Sequence, residues 1–134
     1  MTNKRIILNE QDYKSLTLLI NKLKTTHRLN TPYMRELGEE MERAKIGKVN
    51  DPNMKNVTLK SRVTYQDLEN GGAHVATIVF PAFADSAKDL YSILSPLGTA
   101  LIGEAVGNIT TCYAPSGEIK LKILEIEHPQ PGGE

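Results

Sequence analysis

SILSPLGTALIGEAVGN, residues Ser92 to Asn108, is punctuated so densely that every change of backbone direction in it has a residue to explain it. Ser95 is placed to cap a helix by accepting from an amide two or three residues on. Pro96 follows at the first helical position, where its missing N–H costs nothing. Leu97, Leu101 and Ile102 give the helix an apolar face, and Gly103 offers the left-handed conformation that ends it after about two turns. Gly107-Asn108 then reads as a hairpin-like turn. A helix this short is not stable alone, so it must be pinned on a sheet.

The flanks supply the sheet. Downstream, Ile109 to Ala114 reads as a strand and Pro115-Ser116-Gly117 as a turn. In the last strand Ile119, Leu121, Ile123 and Ile126 interleave with Glu118, Lys120, Lys122, Glu125 and Glu127, with Leu124 behind Ile123. Upstream, Leu90 to Leu94 is extended and Ala82 to Lys88 is a polar excursion. Ala73 to Phe80 is a strand stopped by Pro81, which cannot donate to a ladder. Leu59, Ser61, Val63 and Tyr65 alternate with Lys60, Arg62 and Thr64 in a further strand ending near Asp67. Asn70-Gly71 predicts a hairpin turn with two positive φ values. Residues 57–128 thus form an antiparallel sheet of about five strands with one short helix.

Before residue 57 the period is helical. After a short extended lead-in at residues 4–8, Asn9 caps a helix starting at Glu10. Asp12 completes a variant of the capping box, and Leu8 faces Tyr13 as a hydrophobic staple. Tyr13, Leu16, Ile20 and Leu23 draw one apolar stripe; after Thr31-Pro32, Tyr33, Leu37, Met41 and Ala44 draw a second. The stripes predict a short antiparallel helical hairpin, a small coiled coil, over residues 1–48. Gly47 to Asn56, with an Asp-Pro step and three asparagines, contains the linker at 49–56, and 129–134 reads as a flexible tail. The fold class is α+β.

Composition bounds the chemistry. The 134 residues suit a single domain with an appendage, and the hydrophobic (40%) and charged (24%) fractions are those of a soluble globular protein. Ile6-Ile7-Leu8 is too short for a signal peptide and no run is long enough to span a bilayer, so the expected location is cytoplasmic, with no membrane partner. Residues 1–50 hold ten Lys/Arg against six Asp/Glu, and residues 51–134 six against ten. An excess of four charges is far from the footprint of an independent nucleic-acid binder, so nucleic acid is expected only indirectly. Cys112 lies in a strand alternation and reads as a buried structural thiol. His27, His74 and His128 have no ligand spacing, and Glu36, Glu39 and Glu40 on the second helix read as a solvated face rather than a cation site. No phosphate loop or nucleophile elbow is present, so neither metal nor cofactor is expected, and a nucleotide-binding module has no motif behind it.

SPLGTALIGEAVGN followed by APSGEIKLKILEIEH resembles the C-terminal domain of the bacterial Gre transcript-cleavage factors. The matching positions are Ser95, Pro96, Ala100, Leu101, Ile102, Gly103, Val106, Gly107, Pro115, Gly117 and Glu118. The short hairpin, VTLKSRVTYQDLENGG at 57–72 and ATIVFPAFAD at 76–85 narrow the resemblance to the branch of that family known as regulators of nucleoside diphosphate kinase. The resemblance implies an FKBP-like C-terminal domain that docks on RNA polymerase at the rim of the secondary channel, with the hairpin directed toward the channel. The docking residues it implies are Leu94, Ser95, Pro96 and Leu97, and Leu94 departs from the polar Asp or Asn that Gre proteins place before Ser-Pro.

A second departure concerns the tip. Gre factors hold a catalytic magnesium ion with an acidic pair at the end of a long coiled coil, whereas here no Asp or Glu occurs from residue 25 through 35 and the hairpin is short. Without carboxylate ligands or reach, transcript cleavage does not carry over. His27 and Arg28 are the candidate tip contacts by position and charge, with a solvated turn as the alternative reading. The expectation is a monomeric, non-enzymatic polymerase-binding regulator that competes with Gre factors and influences nucleoside diphosphate kinase indirectly. A peptidyl-prolyl isomerase is the alternative that the architecture alone suggests, though fold does not imply function. Such a site needs an aromatic-lined pocket, and the chain has no Trp and only Phe80 and Phe83.

Overall fold

The change of period near residue 57 becomes a change from helix to sheet. The computed structural model describes residues 7–25, 32–47 and 56–128. Strand β1 (Ile7–Asn9) enters helix α1 (Glu10–Thr25), and helix α2 (Pro32–Arg43) leads into strand β2 (Lys45–Gly47). Then come β3 (Arg62–Asp67), β4 (Ala73–Val79), two 3-10 turns (Pro81–Phe83 and Ser86–Lys88), β5 (Leu90–Ser92), helix α3 (Pro96–Leu101), β6 (Ile109–Ala114) and β7 (Gly117–Glu127). The residues between α1 and α2, all of the 49–56 linker except Asn56, and the tail at 129–134 lie outside those described.

Both long helices follow their stripes. Leu16 and Ile20 of α1 are buried, as are Leu37 and Met41 of α2, while the side chain of Tyr33 lies outside the described residues. The Asp12 amide donates to Asn9 Oδ1 at 2.7 Å, so Asn9 caps α1. α1 contacts α2, and α2 also packs on α3 and β6. One pairing was not foreseen: β1 and β2 run parallel, with Leu8 opposite Ile46. The described end of the lead-in is thus part of a strand, Ile7–Asn9, and Lys45–Gly47 is its partner.

The five-stranded sheet has the order β5-β4-β3-β7-β6. The β3/β4, β3/β7 and β6/β7 pairs are antiparallel, with an irregularity opposite Thr64/Tyr65 that leaves Leu124 out of register. Such a bulge strengthens the local twist. The expectation of an all-antiparallel sheet fails at one edge, where β5 lies parallel to β4. The 3-10 turns carry the chain back only as far as Thr77, beside which β5 starts, so the excursion acts as a compact crossover. β3 also begins later than the alternation predicts. The Ser61 hydroxyl accepts from the Thr58 amide at 2.9 Å and the Ser61 amide donates to the Thr58 carbonyl at 3.1 Å, which closes a turn before Arg62. Lys60 takes φ 71° there.

One apolar cluster joins the helices to the sheet, with Leu8, Leu16 and Leu37 packed alongside Val63, Leu101 and Ile123. Asp12 adds a polar tie. It does not reach back along α1 as a capping box would; its Oδ2 accepts from the Leu59 amide at 2.8 Å, within the buried region. Burial pushes this carboxyl above its usual 3.8, while the Leu59 amide and then Lys60 act in the opposite direction. The folded chain therefore holds the Asp12 proton to higher pH than the unfolded chain. That contribution to stability is fully present below 3.8 and is lost as the pH rises through the folded value.

Asp12→Ala, which strands the Leu59 amide, is expected to lower stability by about 1–3 kcal/mol in urea unfolding at neutral pH. Asp12→Asn keeps an acceptor and removes the buried charge, so its loss is expected to be the smaller; an Asp12→Ala midpoint equal to wild type would contradict the tie.

Candidate docking site

The site is built at the end of β5. The Leu94 amide donates to Ser92 Oγ at 3.0 Å, and the Ser92 carbonyl accepts twice from Ser95, from its amide at 2.9 Å and its hydroxyl at 2.7 Å. The same Ser95 hydroxyl oxygen accepts from the Gly98 amide at 3.0 Å, which makes Ser95 the cap of α3. Pro96 occupies the first turn, and the Thr99 amide donates to the Ser95 carbonyl at 3.0 Å. A Cβ on Gly98 would collide with the Ser92 carbonyl oxygen and sit 2.9 Å from Ile93 Cα. Only glycine lets the helix approach the strand end this closely.

The four residues singled out from the sequence come together here. Leu94, Ser95, Pro96 and Leu97 are half-buried, whereas Gly98, Thr99, Ala100 and Leu101 are buried. The first turn of α3 is therefore fixed from behind and open in front. Its other end is a backbone junction. Gly103 takes φ 77°, and its carbonyl accepts from the Ile7 amide at 3.3 Å and from Asn56 Nδ2 at 2.9 Å. Its amide donates to the Val57 carbonyl at 2.9 Å, and the Val57 amide donates to the Glu104 carbonyl at 2.8 Å. Strand β1 and the start of the second half of the chain thus meet at the end of α3.

The remaining candidates are dispersed. His27 and Arg28 lie outside the described residues. His74 is exposed on β4 with its ring centroid 5.6 Å from that of Tyr65, and His128 Nε2 lies 2.8 Å from the Asn56 carbonyl oxygen. Among the described residues no three His, Cys, Asp or Glu side chains are grouped to hold a metal ion. The acidic face of α2 is not uniformly solvated as expected: Glu39 is exposed, but Glu40 is buried where α2 turns toward the rest of the fold. Cys112 is buried, and burial pushes its thiol above the usual 9.0, which keeps it protonated and poorly nucleophilic. Sequence reading overlooked the display of Phe83, which is 65% exposed; an aromatic next to Pro81 in an otherwise polar excursion was the available signal. No helix among the described residues is long and apolar enough to cross a membrane.

The family described as transcription elongation factor GreA/GreB, C-terminal, matches residues 51–128, which contain this site and the whole five-stranded sheet. The chain belongs to the GreA/GreB family. Among family relatives, the regulator of nucleoside diphosphate kinase of Escherichia coli is 29% identical over 136 residues, covering 100% of this chain and 98% of its own. The transcription elongation factor GreA of Buchnera aphidicola is 38% identical over 72 residues, covering 54% of this chain and 45% of its own. A solved structure of the family, the prokaryotic transcription elongation factor GreA/GreB from Nitrosomonas europaea, superposes with a TM-score of 0.72 at 25% identity, over 94% of this chain and 100% of that one. The similarity to the kinase regulator runs end to end, whereas that to the GreA of Buchnera covers about half of either chain.

Gly98→Ala forces helix and strand apart and is expected to cost at least about 1–3 kcal/mol, and Ser95→Ala, which removes the cap, about 1 kcal/mol. Thermal unfolding of both variants checks the order; a Gly98→Ala protein as stable as wild type would show that the close approach is absent.

Proposed function

We propose that this protein is a non-enzymatic regulator that binds RNA polymerase at the rim of the secondary channel through Leu94, Ser95, Pro96 and Leu97. The observation that carries the reading is the end-to-end similarity to a regulator of nucleoside diphosphate kinase within a family of transcription elongation factors. The half-buried first turn of α3 supports the choice of contact, because it offers apolar side chains on a backbone already held in place. In this reading residues 1–48 are a hairpin directed toward the channel, 49–56 a linker, 57–128 an FKBP-like docking domain and 129–134 a tail. The protein acts as a monomer in the cytoplasm, without a cofactor, and meets nucleic acid only through the polymerase.

The stretch from residue 25 through 35 has no carboxylate, so the hairpin cannot hold a catalytic magnesium ion there. The protein occupies the channel entrance, excludes Gre cleavage factors and leaves the transcript intact. Its effect on nucleoside diphosphate kinase follows from transcription rather than from contact with the kinase. The relatives described above give the isomerase alternative no support.

Core RNA polymerase is expected to be retained by the immobilised protein at micromolar concentration and released by a Gre factor; absence of retention would overturn the reading. With backtracked elongation complexes no shortened RNA is expected, and magnesium-dependent 3′ cleavage would refute the assignment of the tip.

A further inference from the structure

β4 and β5 run parallel and finish together, with Val79 beside Ser92 and the Ile93 amide donating to the Val79 carbonyl at 2.8 Å. One strand end continues into Phe80-Pro81 and the other into Leu94-Ser95, so the first 3-10 turn and the cap of α3 leave the same end of the sheet. That turn packs on β5 and holds Phe83 outward, 65% exposed. A single exposed apolar side chain is ordinary on a protein surface. The backbone beneath this one is not loose. The Phe83 amide donates to the Phe80 carbonyl at 2.9 Å and the Ala84 amide to the Pro81 carbonyl at 3.2 Å, while Phe80 is half-buried against the core. Behind it Asp85 and Leu90 exchange both backbone hydrogen bonds, at 2.8 and 3.0 Å, and Asp85 Oδ1 accepts from the Ala87 amide at 3.1 Å. An aromatic on a turn already ordered in this way loses little further freedom on binding.

The charges around it select a partner. Asp85 and Asp89 are exposed in the same loop against the one cation Lys88. From this we infer that Phe83 is a second anchor of the docking face, inserted into an apolar recess of RNA polymerase whose rim carries lysine or arginine. The inference rests on the polymerase reading above and extends its contact from the first turn of α3 to the neighbouring knob. Asp85 and Asp89 meet the basic rim and steer the approach.

Titration of fluorescently labelled full-length protein with core RNA polymerase tests both layers. Phe83→Ser is expected to bind at least about tenfold more weakly and to melt as wild type does, and Phe83→Leu to stay within about threefold of wild type. Asp89→Asn suits the left-handed backbone at that position (φ 58°) and is expected to weaken binding about two- to threefold and to flatten its salt dependence. Wild-type protein that does not bind overturns this inference together with the polymerase reading. Wild-type binding matched by Phe83→Ser overturns the inference alone. A weakened Phe83→Ser that also melts lower and is not rescued by Phe83→Leu overturns it as well, because the side chain would then be serving the fold.

Discussion

The approach of α3 to the end of β5 is the constraint on which the other features rest. The Ser92 carbonyl sits where a side chain on residue 98 would project, and it accepts both the amide and the hydroxyl of Ser95. One short helix is thereby fixed in position and in rotation. Six residues of α-helix do not hold themselves together in water, so the strand end supplies what propensity does not. Rotation decides which residues face outward. With Gly98, Thr99, Ala100 and Leu101 turned into the core, Leu94, Ser95, Pro96 and Leu97 are left half-exposed on a hydrogen-bonded backbone, Leu94 and Leu97 also packing on the edge of the core.

The same short helix organises the N-terminal half. Its last turn passes into Gly103, whose carbonyl receives Ile7 and Asn56 and whose amide reaches Val57. β1 is therefore hydrogen-bonded to the end of α3, and α1 grows directly from β1. Asp12 adds its bond to Leu59, and α2 lies against α3 and β6. The two helices are thus fastened to the sheet by backbone bonds, a buried carboxylate and a shared core. In a regulator of the kind proposed, that fastening sets how α1 and α2 are held relative to the proposed docking residues.

Much of this was legible because the residues concerned act locally. Ser95-Pro96 and Gly103 define α3 through backbone chemistry within a few positions, Asn9 caps α1 in the same way, and the alternation after Gly117 becomes β7. What escaped the sequence depends on partners far along the chain or on competition for one amide. Asp12 has a local use in a capping box, yet its acceptor capacity goes to Leu59, 47 residues away. Asn70-Gly71 promised two positive φ values, but only Gly71 takes one (78°), since Asp67 Oδ1 accepts from the amides of both Glu69 and Asn70 and shapes the turn itself. β5 is parallel because two 3-10 turns return the chain, and three-residue β2 has no period long enough to detect. Of the docking candidates, proximity in sequence was enough to bring Leu94 to Leu97 together, whereas the placement of Phe83 follows from where β4 and β5 end.

The central claim is that the open first turn of α3 meets RNA polymerase at its secondary-channel rim. A photo-crosslinking side chain at position 97, on full-length protein mixed with core polymerase, tests it directly when the linked polymerase peptide is identified by mass spectrometry. The account predicts crosslinks to the rim that are lost when a Gre factor is added in excess. Crosslinks confined to another surface of the enzyme, or unaffected by the competitor, would contradict it.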